Sequence, residues 1–221
     1  MEIQSMVKDL LATFIERIDN LSYMDEFTKQ HAIAKARNLK YEKIGYPDYM
    51  MNDTHMDHRY QHLQVNCSDC YFENVLQVVR RDRIWRQEEF KKPVDKTKWG
   101  MNPHQVNAYY SHSRNEIVFL AGLLQPPFYA PHYTRSMKFG SIGMIIGHEI
   151  THGFDVTGSK YDKDGILANW WSNRSREAFD KSTRCISKYF SSYEVSGFNV
   201  NGNLTLSEDT SDIGGLRMAF S

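Results

Sequence analysis

The residues best suited to chemistry stand together at His148-Glu149-Ile150-Thr151-His152. On an α-helix, side chains four positions apart share a face, so both imidazoles reach one cation from the same side. Glu149, one position past the first imidazole, lies beside such a cation, placed to act on a water rather than to ligate. An H-E-x-x-H string also arises by chance, so the rest of the chain decides whether a metal site exists.

Zinc in a hydrolytic site takes three protein ligands and leaves one position for water. His148 and His152 supply two, and Glu208, on a helix of its own, is the best-placed third. Asp212, at i+4 from Glu208, shares its face and suits the task of accepting the ring N–H of a ligating histidine, which fixes the tautomer and raises basicity. Asp155, just past the first helix, suits the same task for the other imidazole, although its plainer reading is a turn residue. Likewise, acidic residues such as Glu208, Asp209 and Asp212 near a helix N-terminus favour the helix dipole with no metal present. With one zinc ion per chain, the pKa of a water falls to roughly 7. Glu149 then takes the proton as the water attacks a carbonyl and hands it to the leaving amine. An extended peptide is held most simply by a strand edge, for which Asn107-Ala108 is the candidate.

Several elements must position these groups. A helix over about 137–152 carries the motif and contains Gly140, Gly143 and Gly147, each costing about 1 kcal/mol relative to alanine. Three such glycines imply that something approaches the helix backbone closely, and Gly153 is a natural stop. Ser207 reads as the N-cap of the Glu208 helix, which Gly214 and Gly215 thin for a close approach of its own. Upstream, 106–110 and 117–120 are short β-prone runs, a hairpin or neighbouring strands, and 122–131 is loop. Apolar periodicity predicts further helices over 3–21, over 71–89 and over 172–190, and Ser22 followed by Asp25 reads as the start of another that runs to about Tyr41. Gly45-Tyr46-Pro47-Asp48 is a turn. His55, His58 and His62 share a face if helical, but no carboxylate at ligand spacing completes a second metal site, and we read them as a solvated surface.

Composition narrows the class. Lys+Arg and Asp+Glu are both 27, so no basic field points to nucleic acid. At 41% hydrophobic residues there is material for a sizeable core, while no apolar run reaches transmembrane length and the first residues have no signal-peptide character. Sequons at Asn20, Asn52, Asn66, Asn173 and Asn203 lean towards a secreted history. Cys67 and Cys70 form a lone C-x-x-C, read as a local disulfide or two free thiols, and Cys185 makes the count odd. The last residues, with Leu216, Met218, Ala219 and Phe220 still periodic, read as a truncation.

Several blocks together resemble the neprilysin/endothelin-converting-enzyme family of gluzincin-type zinc metalloendopeptidases. They are Val106-Asn107-Ala108-Tyr109-Tyr110, Asn115-Glu116-Ile117-Val118-Phe119, Gln125-Pro126-Pro127-Phe128-Tyr129, the stretch 147–155 and the stretch 204–215, with Tyr23-Met24-Asp25 and Ile44-Gly45-Tyr46-Pro47-Asp48 upstream. The resemblance implies an α+β, mainly helical fold, a thermolysin-like zinc-peptidase core with short strands preceded by part of a helical domain. We expect residues 1–75 to belong to that helical domain and 76–221 to a truncated catalytic domain. It also implies zinc ligands His148, His152 and Glu208, the base Glu149, and histidine partners Asp212 and Asp155. Asn107 and Ala108 would hold the substrate backbone, with Leu123, Phe128, Met144 and Ile145 lining a hydrophobic pocket just past the cleaved bond. Peptide substrates cut on the amino side of hydrophobic residues, and an extracellular or cell-surface ectodomain with a membrane-anchored parent, are implied by the same resemblance.

The departures are specific. The family's third-ligand block usually reads G-E-N-I-A-D, whereas here it is Ser207-Glu208-Asp209-Thr210-Ser211-Asp212, with both functional carboxylates kept among more polar neighbours. Leu120 and His112 replace usual prolines, and Ser141 a common glycine. Family members continue to a histidine and an arginine that stabilise the oxyanion and to a C-terminal cysteine. Cys185 resembles the cysteine that pairs with that C-terminal one. A fragment with weak or no activity is therefore the leading expectation, and a non-catalytic peptide-binding module the alternative. A zinc aminopeptidase would need a Gly-x-Met-x-Asn stretch, which is not found.

Overall fold

The computed structural model, described over residues 2–61, 63 and 67–221, opens with the expected amphipathic helix α1 (Glu2–Asp19), whose buried stripe is Ile3, Met6, Val7, Leu10, Leu11 and Ile18. Asp25 caps α2 (Glu26–Arg37) by accepting from the Thr28 amide at 2.9 Å. The hydroxyl of Ser172 and the amide and hydroxyl of Thr28 hold its carboxyl down at about 2. The helix is shorter than periodicity predicts: it ends at Arg37, and Lys40–Gly45 is strand β1 instead. That strand forms because β3 offers a parallel partner from far along the chain, a contact no local pattern encodes.

The chain forms two compact units, residues 1–45 with 103–221, and residues 46–102. The second unit holds α3 (Asp53–Tyr60) and α4 (Tyr71–Phe90), neither of which buries a residue. The domain division expected between 75 and 76 falls inside α4, and the compact units divide at either end of 46–102. Cys67 and Cys70 are joined as a disulfide, and Cys185 is free and exposed. His62 lies outside the described residues, and His55 and His58 both sit on α3.

In the larger unit, β2 (Ala108–Ser111) and β3 (Glu116–Leu120) form the expected antiparallel hairpin, and the sheet order is β1-β3-β2. The strand β3 is buried along its whole length, as a central strand should be. One core cluster joins Ile117 and Phe119 of β3 to Ile3, Met6, Val7, Leu10 and Leu11 of α1 and to Ile142, Ile146 and Ile150. A second gathers Ile18, Met24, Ala32, Trp170, Trp171 and Phe179.

The helix expected over 137–152 is composite: α5 (Arg135–Lys138), a π-helical turn (Phe139–Gly143), then α6 (Met144–His152). Such π turns widen a helix by one residue and re-aim the turns beyond them. After it come α7 (Asn173–Ser191), a short hairpin of β4 (Glu194–Val195) and β5 (Phe198–Asn199), and α8 (Leu206–Phe220). Only one of the three motif-helix glycines meets another helix backbone. A Cβ built on Gly147 would lie 2.9 Å from the Gly215 Cα, one on Gly143 would meet mainly its own helix and Met6, and one on Gly140 would meet nothing within 4 Å.

Candidate metal centre

The close approach of α6 and α8 decides the site. On α6, His148 and His152 project to one side with ring centroids 4.5 Å apart. On α8, Glu208 faces them, its Oε2 at 3.3 Å from His148 Nε2 and 3.5 Å from His152 Nε2. Among the described residues this trio is the group of His, Cys, Asp and Glu side chains whose ligand atoms all lie within 4.8 Å of one another. The imidazoles are nearly covered while the Glu208 side chain is 65% exposed, so the convergence point opens to solvent on the α8 side.

Each imidazole is held from behind. His148 Nδ1 lies 2.8 Å from Asp212 Oδ1, and His152 Nδ1 lies 2.8 Å from Asp155 Oδ2. A carboxylate only accepts, so each pairing places the proton on Nδ1 and leaves the Nε2 lone pair facing Glu208. Asp155 is a turn residue as well: its Oδ1 accepts from the Thr157 and Gly158 amides at 2.7 Å each. The two readings of that residue are both satisfied, one by each oxygen. Burial would push the Asp155 carboxyl up, but His152, Ser207 and the two amides outweigh it and hold it below the usual range. Burial likewise pulls His152 down, and the Asp155 hydrogen bond with the charges of Glu149, Asp155 and Glu208 more than reverses this.

Glu149 is 5% exposed, and its Oε2 has no hydrogen-bond partner among the described residues. Burial pushes its carboxyl up to about 7, with Glu208 adding to the rise while His152 and the Tyr110 amide oppose it. A buried polar atom without a partner is rare enough to need a reason. Two lone pairs and one carboxylate converging beside an unpartnered buried acid form a donor set that fits zinc with a water to be deprotonated.

Asn107 and Ala108 stand at the start of β2, an outer strand of the sheet. Leu120 N–H donates to Asn107 O at 3.3 Å, so Ala108 and Phe119 form a non-hydrogen-bonded pair and the Ala108 peptide groups turn away from β3. Within the chain the Ala108 N–H donates to Asn107 Oδ1 at 2.9 Å. The expected pocket residues are placed less distinctively: Leu123 is buried in the core, Phe128 and Ile145 pack against that core, and Met144 opens α6 half-buried.

Sequence reasoning misplaced Ser207 and missed two other residues. Ser207 is not the N-cap, because α8 begins at Leu206 with Thr205 before it. Its hydroxyl instead donates to Asp155 Oδ2. Ser211 Oγ lies 3.0 Å from His152 Nδ1. The repeat of Ser207 and Ser211 at the spacing of Glu208 and Asp212 was the available signal. Lys35 is 1% exposed and donates to the carbonyls of Gly158 and Tyr161 at 2.7 and 2.6 Å, holding the turn that comes after Asp155. For a lysine in an alanine-rich helix, nothing local announced that.

Known proteins share this arrangement of sequence and fold. Profiles of peptidase family M13 match residues 107–221 and 1–47. An endothelin-converting enzyme homolog of Locusta migratoria is 42% identical over 98% of this chain, which spans 30% of that relative's length. The crystal structure of PepO from Lactobacillus rhamnosis superposes with a TM-score of 0.87 at 34% identity, over 99% of this chain and 34% of that one. The zinc metalloprotease ZMP1 of Mycobacterium tuberculosis, solved with an inhibitor, gives 0.86 at 35% identity, over 99% and 33%. The chain therefore spans about three tenths of the length of the curated relative it matches, and through both of its matched segments it belongs to peptidase family M13.

Proposed function

We propose that this chain carries the metal-binding and water-activating part of a zinc-dependent endopeptidase. The observation that supports this most is the convergence of His148, His152 and Glu208 within 4.8 Å beside the buried, unpartnered Glu149. In this reading His148 Nε2, His152 Nε2 and Glu208 hold one zinc ion per chain, with Asp212 and Asp155 fixing the imidazoles. Bound there, zinc would supply Lewis acidity, lowering the pKa of a water and polarising a peptide carbonyl. Glu149 takes a proton from the attacking water and delivers it to the leaving amine. Burial holds that carboxyl up at about 7 in the metal-free chain, and a zinc ion beside it would favour the carboxylate that accepts the proton.

The outward peptide groups of Ala108, with the Asn107 side chain, hold an extended peptide along the free edge of β2. Leu123, Phe128, Met144 and Ile145 line the pocket that selects a hydrophobic residue just past the cleaved bond. The enzyme works at the cell surface or outside the cell, a setting in keeping with the membrane metallo-endopeptidase-like relative of Mus musculus. No helix among the described residues is long and apolar enough to cross a membrane.

The test is zinc content and cleavage of a quenched fluorescent peptide, measured on the wild type and on Glu149→Gln. We expect one zinc in each and cleavage in the wild type only, a loss of roughly a hundred- to ten-thousand-fold. Undiminished cleavage by Glu149→Gln would end the catalytic reading. Peptide binding with zinc bound and no cleavage by either protein would favour a binding module.

A further inference from the structure

We propose that Ser207 and Ser211 are positioning residues of the metal centre, fixing the rotation of α8 against the His152–Asp155 pair so that Glu208 stays in register with both imidazoles. The proposal rests on the zinc reading of His148, His152 and Glu208.

On α8, Ser207 and Ser211 stand at i and i+4, and so do Glu208 and Asp212, one position on. Two neighbouring stripes of one helix therefore serve two different histidines. The Glu208–Asp212 stripe faces His148, with Asp212 on its Nδ1. The Ser207–Ser211 stripe faces the other imidazole: Ser207 donates to Asp155 Oδ2, the oxygen that also takes His152 Nδ1–H, and Ser211 Oγ lies 3.0 Å from that same nitrogen. Because Nδ1 carries the proton for Asp155, Ser211 Oγ acts as a second acceptor of it. Asp155 and Ser211 are fully buried, so water does not offer these groups an easy substitute.

Glycine contacts explain why such a tie is needed. The approach of α6 to α8 rests on Gly147 against Gly215 and on Gly214 against the Thr151 side chain. Glycine surfaces let two helices come close, but they are smooth and give little resistance to rolling about the helix axis. Rolling α8 would swing Glu208 away from the Nε2 atoms while leaving the interhelical distance unchanged. The two hydroxyls resist that motion by holding the neighbouring stripe to the His152–Asp155 pair.

The experiment uses the 221-residue chain loaded with zinc, and Ser207→Ala, Ser211→Ala and the double variant. Zinc release to an excess of chelator is monitored, along with the visible spectrum of the cobalt(II)-substituted proteins and the melting of the metal-free forms. We expect each single variant to release zinc roughly three- to tenfold faster, and the double variant faster still. The cobalt spectrum should change, the metal-free melting temperature should fall only by about 2–4 °C for the one lost hydrogen bond in each single variant, and Ser207→Thr, which keeps the hydroxyl, should release at the wild-type rate. Wild-type release and an unchanged cobalt spectrum in both alanine variants would overturn the role of the serines alone. A wild type that binds no zinc would overturn the zinc reading beneath it.

Discussion

Gly147 of α6 and Gly215 of α8 meet backbone to backbone, a Cβ on the first lying 2.9 Å from the Cα and 3.0 Å from the carbonyl oxygen of the second. A Cβ on Gly215 would in turn lie 2.5 Å from the Met144 carbonyl and 2.7 Å from the His148 amide. No side chain fits between these two positions, and that is why a carboxylate on α8 reaches imidazoles on α6.

Gly147→Ala should therefore cost about 1–3 kcal/mol of stability by overpacking and weaken zinc binding, because Glu208 is pushed off with its helix. Gly140→Ala, with nothing within 4 Å of its new methyl, should leave zinc binding unchanged and raise stability by up to about 1 kcal/mol. Thermal melts and chelator titrations of the two variants compare them directly. Equal effects at both positions would mean that helix propensity, not interhelical contact, governs these glycines.

The two aspartates behind the histidines should separate by burial. The Asp212 side chain is 57% exposed, so Asp212→Asn should lower zinc affinity roughly ten- to hundredfold while the metal-free chain melts as before. Asp155 is fully buried and also accepts from Thr157, Gly158 and Ser207. Asp155→Ala leaves those donors without an acceptor, and we expect about 3 kcal/mol or more of lost stability in addition to the lost affinity. A metal-free melt of Asp155→Ala at the wild-type temperature would contradict this division.

Lys35 should behave as a clamp with a pH signature. Lys35→Met removes one of two donors from each carbonyl, Gly158 keeping the Tyr161 amide and Tyr161 keeping Trp170 Nε1, for a loss of about 1–2 kcal/mol. Burial pulls the ammonium from 10.5 down to about 7, against the opposing charges of Asp155 and Asp162. Between those two values the unfolded chain holds the proton and the folded chain has released it, so folding gains stability as pH rises from about 7 to 10.5. The gap between wild type and Lys35→Met should accordingly widen across that window in denaturant titrations. A gap that narrows with rising pH would show that the lysine stays charged in the fold.

Much of this was legible from residue type and spacing. The pair at i and i+4 in His148 and His152, the second pair in Glu208 and Asp212, and Asp155 just past the helix end each express a local rule of helix geometry or turn chemistry. The hairpin of β2 and β3 was legible for the same reason, since its partners are neighbours in sequence. The β4–β5 hairpin was missed because its strands have two residues each, too short for any alternation to register.

What residue order by itself determined about this protein is the inventory: two histidines and a carboxylate at metal-ligand spacing, an acid beside them, the helices that carry them, and glycines where something had to come close. Tertiary structure alone decided which surfaces met. It turned 40–45 into a strand by supplying β3 as a parallel partner, and it chose Gly147 rather than Gly140 as the point of helix contact. It also drew Ser207 away from the helix-capping role that its local sequence suggests, to Asp155. Each of these depends on groups tens of residues apart, and a hydrogen bond or a packed contact takes its energy from distance in space, which sequence neighbours do not report.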